Sequence, residues 1–282
     1  MLKHDNIIKI SNLNEKEIWP YVSRSEVGLL RCNEPQPGIF VAESPNVIER
    51  AINAGYEPVS FLIEEKYLDG SIRDGMVRFE LIERFPDVPV YTACGEVLKD
   101  LIGYKLTRGM LAAFKRKRLM TLSEIIKGKR RIAVLEEIVN PTNIGAIFRS
   151  AAALKMDAVI LSYDCSDPLY KRASRVAMGN VFLVPWTIMD KGMWPDEGMK
   201  ILRFEGFKTA AMALCNDSVS IADKNLHQEE KLALILGTEG SGLLDKTIKQ
   251  CDYTVKIPMS HGVDSLNVAA ASAVAFWQLG CK

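Results

Sequence analysis

The chain has 282 residues, 48% hydrophobic and 25% charged, with a formal net charge of +1, which implies an ordinary soluble globular protein of two domains and gives no global signal for nucleic acid. No apolar run reaches the length of a membrane span, and the opening MLKHDNIIKI has no apolar signal segment, so the cytoplasm is the implied compartment. The six cysteines (Cys32, Cys94, Cys165, Cys215, Cys251, Cys281) are scattered without a CxxC pair or flanking histidines, which argues against a metal site or a disulfide framework.

Residues 1–34 are a mixed N-terminal extension, with an amphipathic helix over 15–30 interrupted by Pro20. The breaker cluster EPQPG at 34–38 starts a new unit. GIFVAE (38–43) reads as a strand, and Ser44-Pro45 as an N-cap followed by proline at the first helical position. The spacing predicts a helix over 45–55 closed by Gly55, strands at 59–65 and 88–93, a helix over 95–103 and a last strand at 109–117. These elements imply a small α/β domain over residues 35–118.

Between Lys105 and Arg131 lie ten basic residues, Lys105, Arg108, Lys115, Arg116, Lys117, Arg118, Lys127, Lys129, Arg130 and Arg131, opposed by Glu124 alone. In a nearly neutral chain this is a local field suited to phosphates, and residues 119–130 read as a basic linker. A solvated charge run that keeps a surface soluble is the competing reading.

From Arg131 to the C-terminus the α/β alternation is more regular. Strands are expected at 132–138, 157–162, 181–186, 209–214, 232–237 and 253–257. Helices are expected over 143–154, 168–178, 195–206, 242–250 and 265–279. Near-continuous apolar strands imply a mostly parallel sheet with helices on both faces.

Three stretches carry chemistry. LALILG (232–237) runs into GTEGSGLL, a buried strand meeting a glycine-rich turn. The order is G-x-x-G-x-G, so it is neither the dinucleotide fingerprint nor a P-loop. The turn lets a ligand approach the backbone, or is simply a tight strand-to-helix turn; Glu239 within it can cap a helix or hold a cation. Residues 253–279 couple a strand to a helix that is apolar all round after Asn267. Such a helix must be buried, in a core or at a subunit interface, and its small residues lean toward a homodimer. Ser265 and Asn267 are expected in its first turn, where capping by Asp264 or Ser265 competes with ligand binding and Asn267 is harder to explain as a cap. NPTNIGAIFRSAAAL (140–154) places Ile144, Ile147, Phe148 and Ala151 on one helical face and Arg149 away from it. Asn143 near the helix start can cap or bind, and Arg149 by itself reads as a surface salt-bridge residue.

Together the three stretches resemble the SpoU (TrmH-type) branch of the SPOUT superfamily of S-adenosyl-L-methionine-dependent RNA 2′-O-ribose methyltransferases. The first motif, N-x-G-x-x-x-R, is read here from Asn143, Gly145 and Arg149. The second is an apolar strand and Gly237, Glu239, Gly242 and Leu243. The third is Ile257, Pro258, Met259, then Ser265, Leu266, Asn267 and Val268. Residues 167–186 look like the family's intermotif region. One departure stands at His261, where the family pattern has glycine; Gly262 follows.

The resemblance implies a C-terminal methyltransferase domain over residues 131–282, tied in a deep trefoil knot. It implies a small RNA-binding domain before it, and a homodimer packed through the knot. It implies that S-adenosyl-L-methionine is held by Gly237, Ile257 and Leu266 with neighbours Leu236, Thr238, Pro258 and Asn267. Arg149 would act at the ribose 2′-hydroxyl with Asn143, Glu239, Ser265 and Asn267, and Lys105, Arg108, Arg116, Arg118 and Arg149 would hold RNA. Ribosomal RNA is favoured over transfer RNA by the separate N-terminal domain. A catalytically silent RNA-binding protein of the same fold is an alternative, opposed by the intact polar motif residues. A nicotinamide-dependent oxidoreductase is another, opposed by the glycine order.

Overall fold

The computed structural model describes residues 6–10, 18–22, 25–69, 75–102 and 109–280. In chain order the elements are β1 (Ile7–Lys9), α1 (Trp19–Val22), α2 (Glu26–Arg31), β2 (Ile39–Glu43), α3 (Pro45–Asn53), β3 (Pro58–Glu64), α4 (Phe79–Ile82), β4 (Val90–Ala93), α5 (Gly95–Ile102) and β5 (Met110–Lys115). They continue with α6 (Leu122–Ile126), β6 (Arg131–Leu135), α7 (Pro141–Ala153), β7 (Ala158–Leu161), α8 (Lys171–Val176), β8 (Trp186–Ile188), α9 (Asp196–Phe204), β9 (Lys208–Met212) and β10 (Val219–Ser220). The last are α10 (Lys224–Gln228), β11 (Leu232–Leu236), α11 (Asp245–Gln250), β12 (Tyr253–Lys256) and α12 (Val268–Leu279). The chain divides into two compact units.

The first unit comprises the residues up to Arg118 together with Leu169–Phe182. Its sheet has the order β1-β4-β3-β5-β2. β1, β4 and β3 run parallel, and β5 pairs antiparallel with both β3 and β2. β2 is buried along its whole length, and α3 buries Val47, Ile48, Ala51 and Ile52. Phe40 stacks on Phe114 with ring centroids 5.4 Å apart. Phe182 completes this aromatic group, 5.8 Å from Phe40 and 5.3 Å from Tyr56. The segment carrying α8 is therefore part of this core, although the sequence runs it together with the C-terminal motifs. Arg175 on α8 pairs at 3.3 Å with the buried carboxylate of Glu43, and Arg50 donates to the carbonyl of Met178 at 2.7 Å.

The second unit comprises residues 119–168 and 183 onward. Its sheet, β10-β12-β9-β11-β6-β7-β8, is parallel at every pairing. Side chains alternate faces along a strand, so a parallel sheet needs cover on both sides. On one face Ile132, Val134, Ile160 and Ile235 join Leu122 and Ile125 of α6 and Met199 and Leu202 of α9. Elsewhere α7 and α12 pack on each other, α7 against β7 and α12 against β11. Ile144, Ile147, Phe148 and Ala151 of α7 are fully buried, as their spacing requires, and Phe148 meets Trp186 edge-on at 6.3 Å. β11 lies between β9 and β6, with β12 beyond β9. That order fits the knotted arrangement the resemblance implies. No described helix is long and apolar enough to cross a membrane.

Several boundaries differ from the sequence expectation for identifiable reasons. The strand expected at 181–186 is a 3-10 turn over Asn180–Phe182, and the ladder begins at Trp186. Pro185 has no N–H to give a ladder; it contributes its carbonyl, which accepts from Val159 N at 2.9 Å. The stretch 119–130 is not a bare linker. Thr121 and Glu124 form a capping box that starts α6, so the lone acid of the basic run is a helix cap. Ser44 stands at the N-cap position of α3 at φ 89°, and its hydroxyl makes no cap bond. α7 begins at Pro141 and is capped by Asn140, so Asn143 sits inside its first turn. α11 begins three residues after Gly242, whose φ of 72° is left-handed and cannot continue a helix. α12 begins at Val268 with Asn267 as its cap, which leaves Ser265 outside the helix.

Arg131, 8% exposed, closes the second unit. Its guanidinium donates to the carbonyls of Leu279 at 3.0 Å, Glu230 at 2.9 Å and Glu229 at 2.7 Å. It thereby caps the C-terminal end of α12 and joins it to the start of β11 and β6. Arg131→Ala removes all three bonds and leaves the buried Leu279 carbonyl without this donor. Urea unfolding monitored by circular dichroism is expected to show a loss of about 2–4 kcal/mol.

Candidate functional site

In an open parallel sheet, ligands bind outside the carboxyl ends of strands where the winding direction reverses. Here the chain leaves β6 toward β7 and β8 on one flank, and β9, β11 and β12 occupy the other. The carboxyl ends of β6 and β11 are adjacent, since Leu135 pairs with Leu236. The segment entering α7, the loop 237–244 and the segment entering α12 converge here.

Asn143 is 6% exposed although it is a carboxamide in the first turn of α7. Its side-chain oxygen accepts from Asn267 Nδ2 at 3.3 Å, across 124 residues of sequence. The same Nδ2 donates to Oε1 of Glu239. Oδ1 of Asn267 accepts from Ala269 N at 2.9 Å and so caps α12. One side chain thus starts a helix and ties together the other two, and Asn143, Glu239 and Asn267 form a single polar group.

The glycine-rich loop is closed on itself. Thr238 and Gly242 form an isolated antiparallel bridge, with Gly242 N donating to the Thr238 carbonyl at 3.1 Å. A Cβ added to Gly237 would lie 2.4 Å from the Gly242 carbonyl carbon and oxygen, so only glycine allows this closure. Leu236 is buried at the end of β11, and Gly237 and Thr238 are partly exposed. Ile257 follows β12 partly exposed, while Pro258, Ser265 and Leu266 are exposed. From Ile257 to Leu266 one hydrogen bond is found among the described residues, Val263 N to the Ser260 carbonyl at 3.2 Å. His261 and Gly262 both adopt left-handed backbone, φ 60° and 71°, so histidine takes a conformation that glycine takes more readily. Backbone donors and acceptors along this loop are open to a ligand. That suits a nucleoside bound through main-chain groups, and the residues present fit such a group.

Arg149 lies six residues beyond Asn143 on α7 and is exposed. Among the described residues it has no hydrogen bond or ion pair, so no salt bridge accounts for it there. Six residues also turn the helix by roughly 240°, and no contact brings Arg149 to the polar group. Ser265 likewise makes no hydrogen bond to it.

Of the basic residues, Lys105 and Arg108 lie outside the described residues. Arg116 Nε donates to the Ile39 carbonyl at 3.2 Å, and Lys117 to the Ala54 carbonyl at 2.6 Å while lying 4.7 Å over the Tyr56 ring. Lys115 pairs with Glu57 at 2.9 Å. Arg118 is exposed and unpaired among the described residues. No group of His, Cys, Asp and Glu that could hold a metal is found among the described residues. Burial pushes the Cys165 thiol above its ordinary value and that of Cys251 up to about 12, so neither is a thiolate nucleophile near neutrality.

Sequence reasoning missed Glu136. It is 1% exposed at the end of β6 and accepts from Trp194 Nε1 at 2.6 Å, Leu244 N at 2.7 Å and the Thr247 hydroxyl. The available signal was a carboxylate closing an otherwise apolar strand, IAVLE.

Residues 130–277 match the SpoU rRNA Methylase family. The chain is 35% identical over 241 residues to a protein of Mycobacterium bovis named as an uncharacterized tRNA/rRNA methyltransferase, covering 85% of this chain and 80% of that one. It is 27% identical over 222 residues to the 23S rRNA (guanosine-2′-O-)-methyltransferase RlmB of Bordetella pertussis, covering 77% and 88%. Among solved structures it is similar to the AdoMet-bound rRNA methyltransferase of Sinorhizobium meliloti, with a TM-score of 0.77 at 18% identity over 97% of both chains. It is also similar to the AdoMet complex of the SpoU methyltransferase AviRb of Streptomyces viridochromogenes, with a TM-score of 0.74 at 19% identity over 94% and 96% of the two chains.

The Asn267 side chain has a structural duty at α12 that Asn143 lacks at its own helix. Asn267→Ala is therefore expected to lower stability by about 1–2 kcal/mol through the lost cap. Asn143→Ala should lower it less, because Asn140 caps α7. Parallel thermal melts of the two variants check the order.

Proposed function

The chain belongs to the SpoU rRNA methylase family, and from that membership we propose that it transfers the methyl group of S-adenosyl-L-methionine to a ribose 2′-hydroxyl of structured ribosomal RNA. The observation that carries the reading is the convergence of Asn143, Glu239 and Asn267 at the carboxyl ends of β6 and β11. The named relatives favour ribosomal RNA, with transfer RNA as the second substrate class.

S-adenosyl-L-methionine supplies an already activated methyl group, so the protein's work is to position and to stabilise charge. Gly237, Ile257 and Leu266 would hold it through their backbone, with Leu236, Thr238 and Pro258 walling the loop ends. Asn143, Glu239 and Asn267 orient the ribose, with Ser265 on the exposed loop two residues before Asn267. Arg149, an exposed cation without a partner among the described residues, binds the flanking phosphate and stabilises negative charge growing on the 2′-oxygen. A guanidinium keeps its proton in proteins, so it acts as an electrostatic group and not as the base. Arg116 and Arg118, with Lys105 and Arg108 of the same basic run in the sequence, would give the N-terminal domain, residues 35–118, its phosphate contacts.

The working form is a homodimer. α12 is apolar all round, yet Val274 is 39% and Trp277 75% exposed. A second copy packed on that face would cover them.

Labelled S-adenosyl-L-methionine, incubated separately with bulk ribosomal and bulk transfer RNA, is expected to label the ribosomal pool at a nucleotide resistant to alkaline cleavage. Arg149→Ala should lower turnover by roughly a hundredfold or more while still binding the methyl donor. Unchanged turnover would remove Arg149 from the mechanism. For the dimer, Trp277→Glu should shift sedimentation toward monomer; an unchanged sedimentation coefficient would place the interface elsewhere.

A further inference from the structure

We infer that Glu136 is a positioning residue for the methyl donor, because it ties both ends of the 237–243 loop to the end of β6. The inference rests on the methyl-transfer reading of that loop.

The geometry is specific to this residue. Its backbone N–H donates to the carbonyl of Leu236, the residue before Gly237, at 2.9 Å. Its side-chain Oε1 accepts from the N–H of Leu244, the residue after Leu243, at 2.7 Å. The loop that carries Glu239 therefore leaves and re-enters the fold through bonds to one residue. Oε2 is held by Trp194 Nε1 at 2.6 Å and by the Thr247 hydroxyl on α11. The carboxylate has no freedom to rotate away from Leu244 without stranding those donors.

A packing role alone does not account for a carboxylate here. Burying a charge without a cation is costly, and an apolar side chain of similar size would fill the space. What an apolar residue could not supply is an acceptor for three converging donors, one from Trp194 and two from the start of α11. Leu244 is the N-cap residue of α11 and has no side-chain cap bond, and Glu136 satisfies the backbone N–H of that residue. Each charge-assisted bond of this kind is worth on the order of a tenfold or larger change in an equilibrium. Glu136 shares no hydrogen bond with the Asn143–Glu239–Asn267 group among the described residues, so its effect should fall chiefly on donor binding.

The test is calorimetric titration of S-adenosyl-L-methionine into the full-length wild type, Glu136→Gln and Thr247→Val, with melting curves and steady-state kinetics on the same samples. Glu136→Gln keeps the shape and turns one acceptor into a donor that faces donors. Its Kd and KM for the methyl donor should rise about tenfold. Its kcat at saturating donor should stay within about twofold and its KM for RNA should be unchanged. Thr247→Val removes one donor without changing volume, so its Kd should rise by a smaller factor, about threefold. It carries the test if the glutamine variant does not fold. A lowered melting temperature with an unchanged donor Kd would make Glu136 structural only and overturn the inference. A wild type that binds no donor would overturn the methyl-transfer reading beneath it.

Discussion

β11 is hydrogen-bonded on both sides to parallel neighbours, β9 and β6, and it enters the sheet after both are in place along the chain. Parallel strands cannot be joined by tight turns, so each must be reached by a crossover. The crossovers gather the carboxyl ends of all the strands at one edge. With β11 inserted beside β6, the exit of the first motif strand and the exit of the second become neighbours. Asn143 and Asn267, far apart in sequence, then meet within hydrogen-bonding distance. The candidate site is a consequence of this insertion. No hairpin-connected arrangement of the same strands would bring those segments together.

Given that placement, Leu243 anchors the glycine-rich loop in the core, and polar ties and backbone shape hold the rest. Gly237 allows the chain to fold onto Gly242, and Gly242 allows the left-handed turn that ends the loop. Glu136 fixes the two ends. Asn267 fixes the entry to α12 and reaches Glu239 at the same time. These ties can hold a loop in one shape while leaving its outer surface exposed, which suits a ligand bound through main-chain groups. Cavity-filling side chains would have rigidified the same loop only by occupying the space a ligand needs.

Much of this was legible in the sequence, and the failures are local. Buried strands such as IAVL and LALIL announced a parallel sheet because both of their faces are apolar, and the stripe Ile144, Ile147, Phe148, Ala151 announced the inner face of α7. The polar group was legible through its motifs, since Asn143, Glu239 and Asn267 all appear in them. Their mutual contacts were not legible, because no local pattern encodes which strand lies beside β6. Element starts went wrong where a cap competes. Asn140 precedes a proline and takes the cap considered for Asn143, and Asn267 caps a helix that starts three residues later than the 265 expected. Glu136 was invisible for a related reason. A carboxylate at a strand end reads as solvent-exposed unless the donors that surround it, Trp194, Leu244 and Thr247, are known to arrive there. The segment around α8 was assigned by its position between motifs, whereas Phe182, Arg175 and Met178 bind it to Phe40, Glu43 and Arg50.

The basic run bears on how RNA would be held in the proposed reaction. Counted in the sequence it looks like a dense phosphate-binding stripe. In the structure Lys115 is paired with Glu57, Arg116 and Lys117 donate to main-chain carbonyls, and Arg131 is buried. A cation already committed to a neighbour releases fewer counterions when it meets a phosphate, so charge count overstates its share of affinity. The net charge of +1 points the same way. Binding would then depend on a few exposed cations, Arg118 and Arg149 among them, and on the fit of the protein to a folded RNA. Structured RNA is read largely by shape and by its 2′-hydroxyls. That is the recognition expected of an enzyme whose target is one 2′-hydroxyl within a folded RNA.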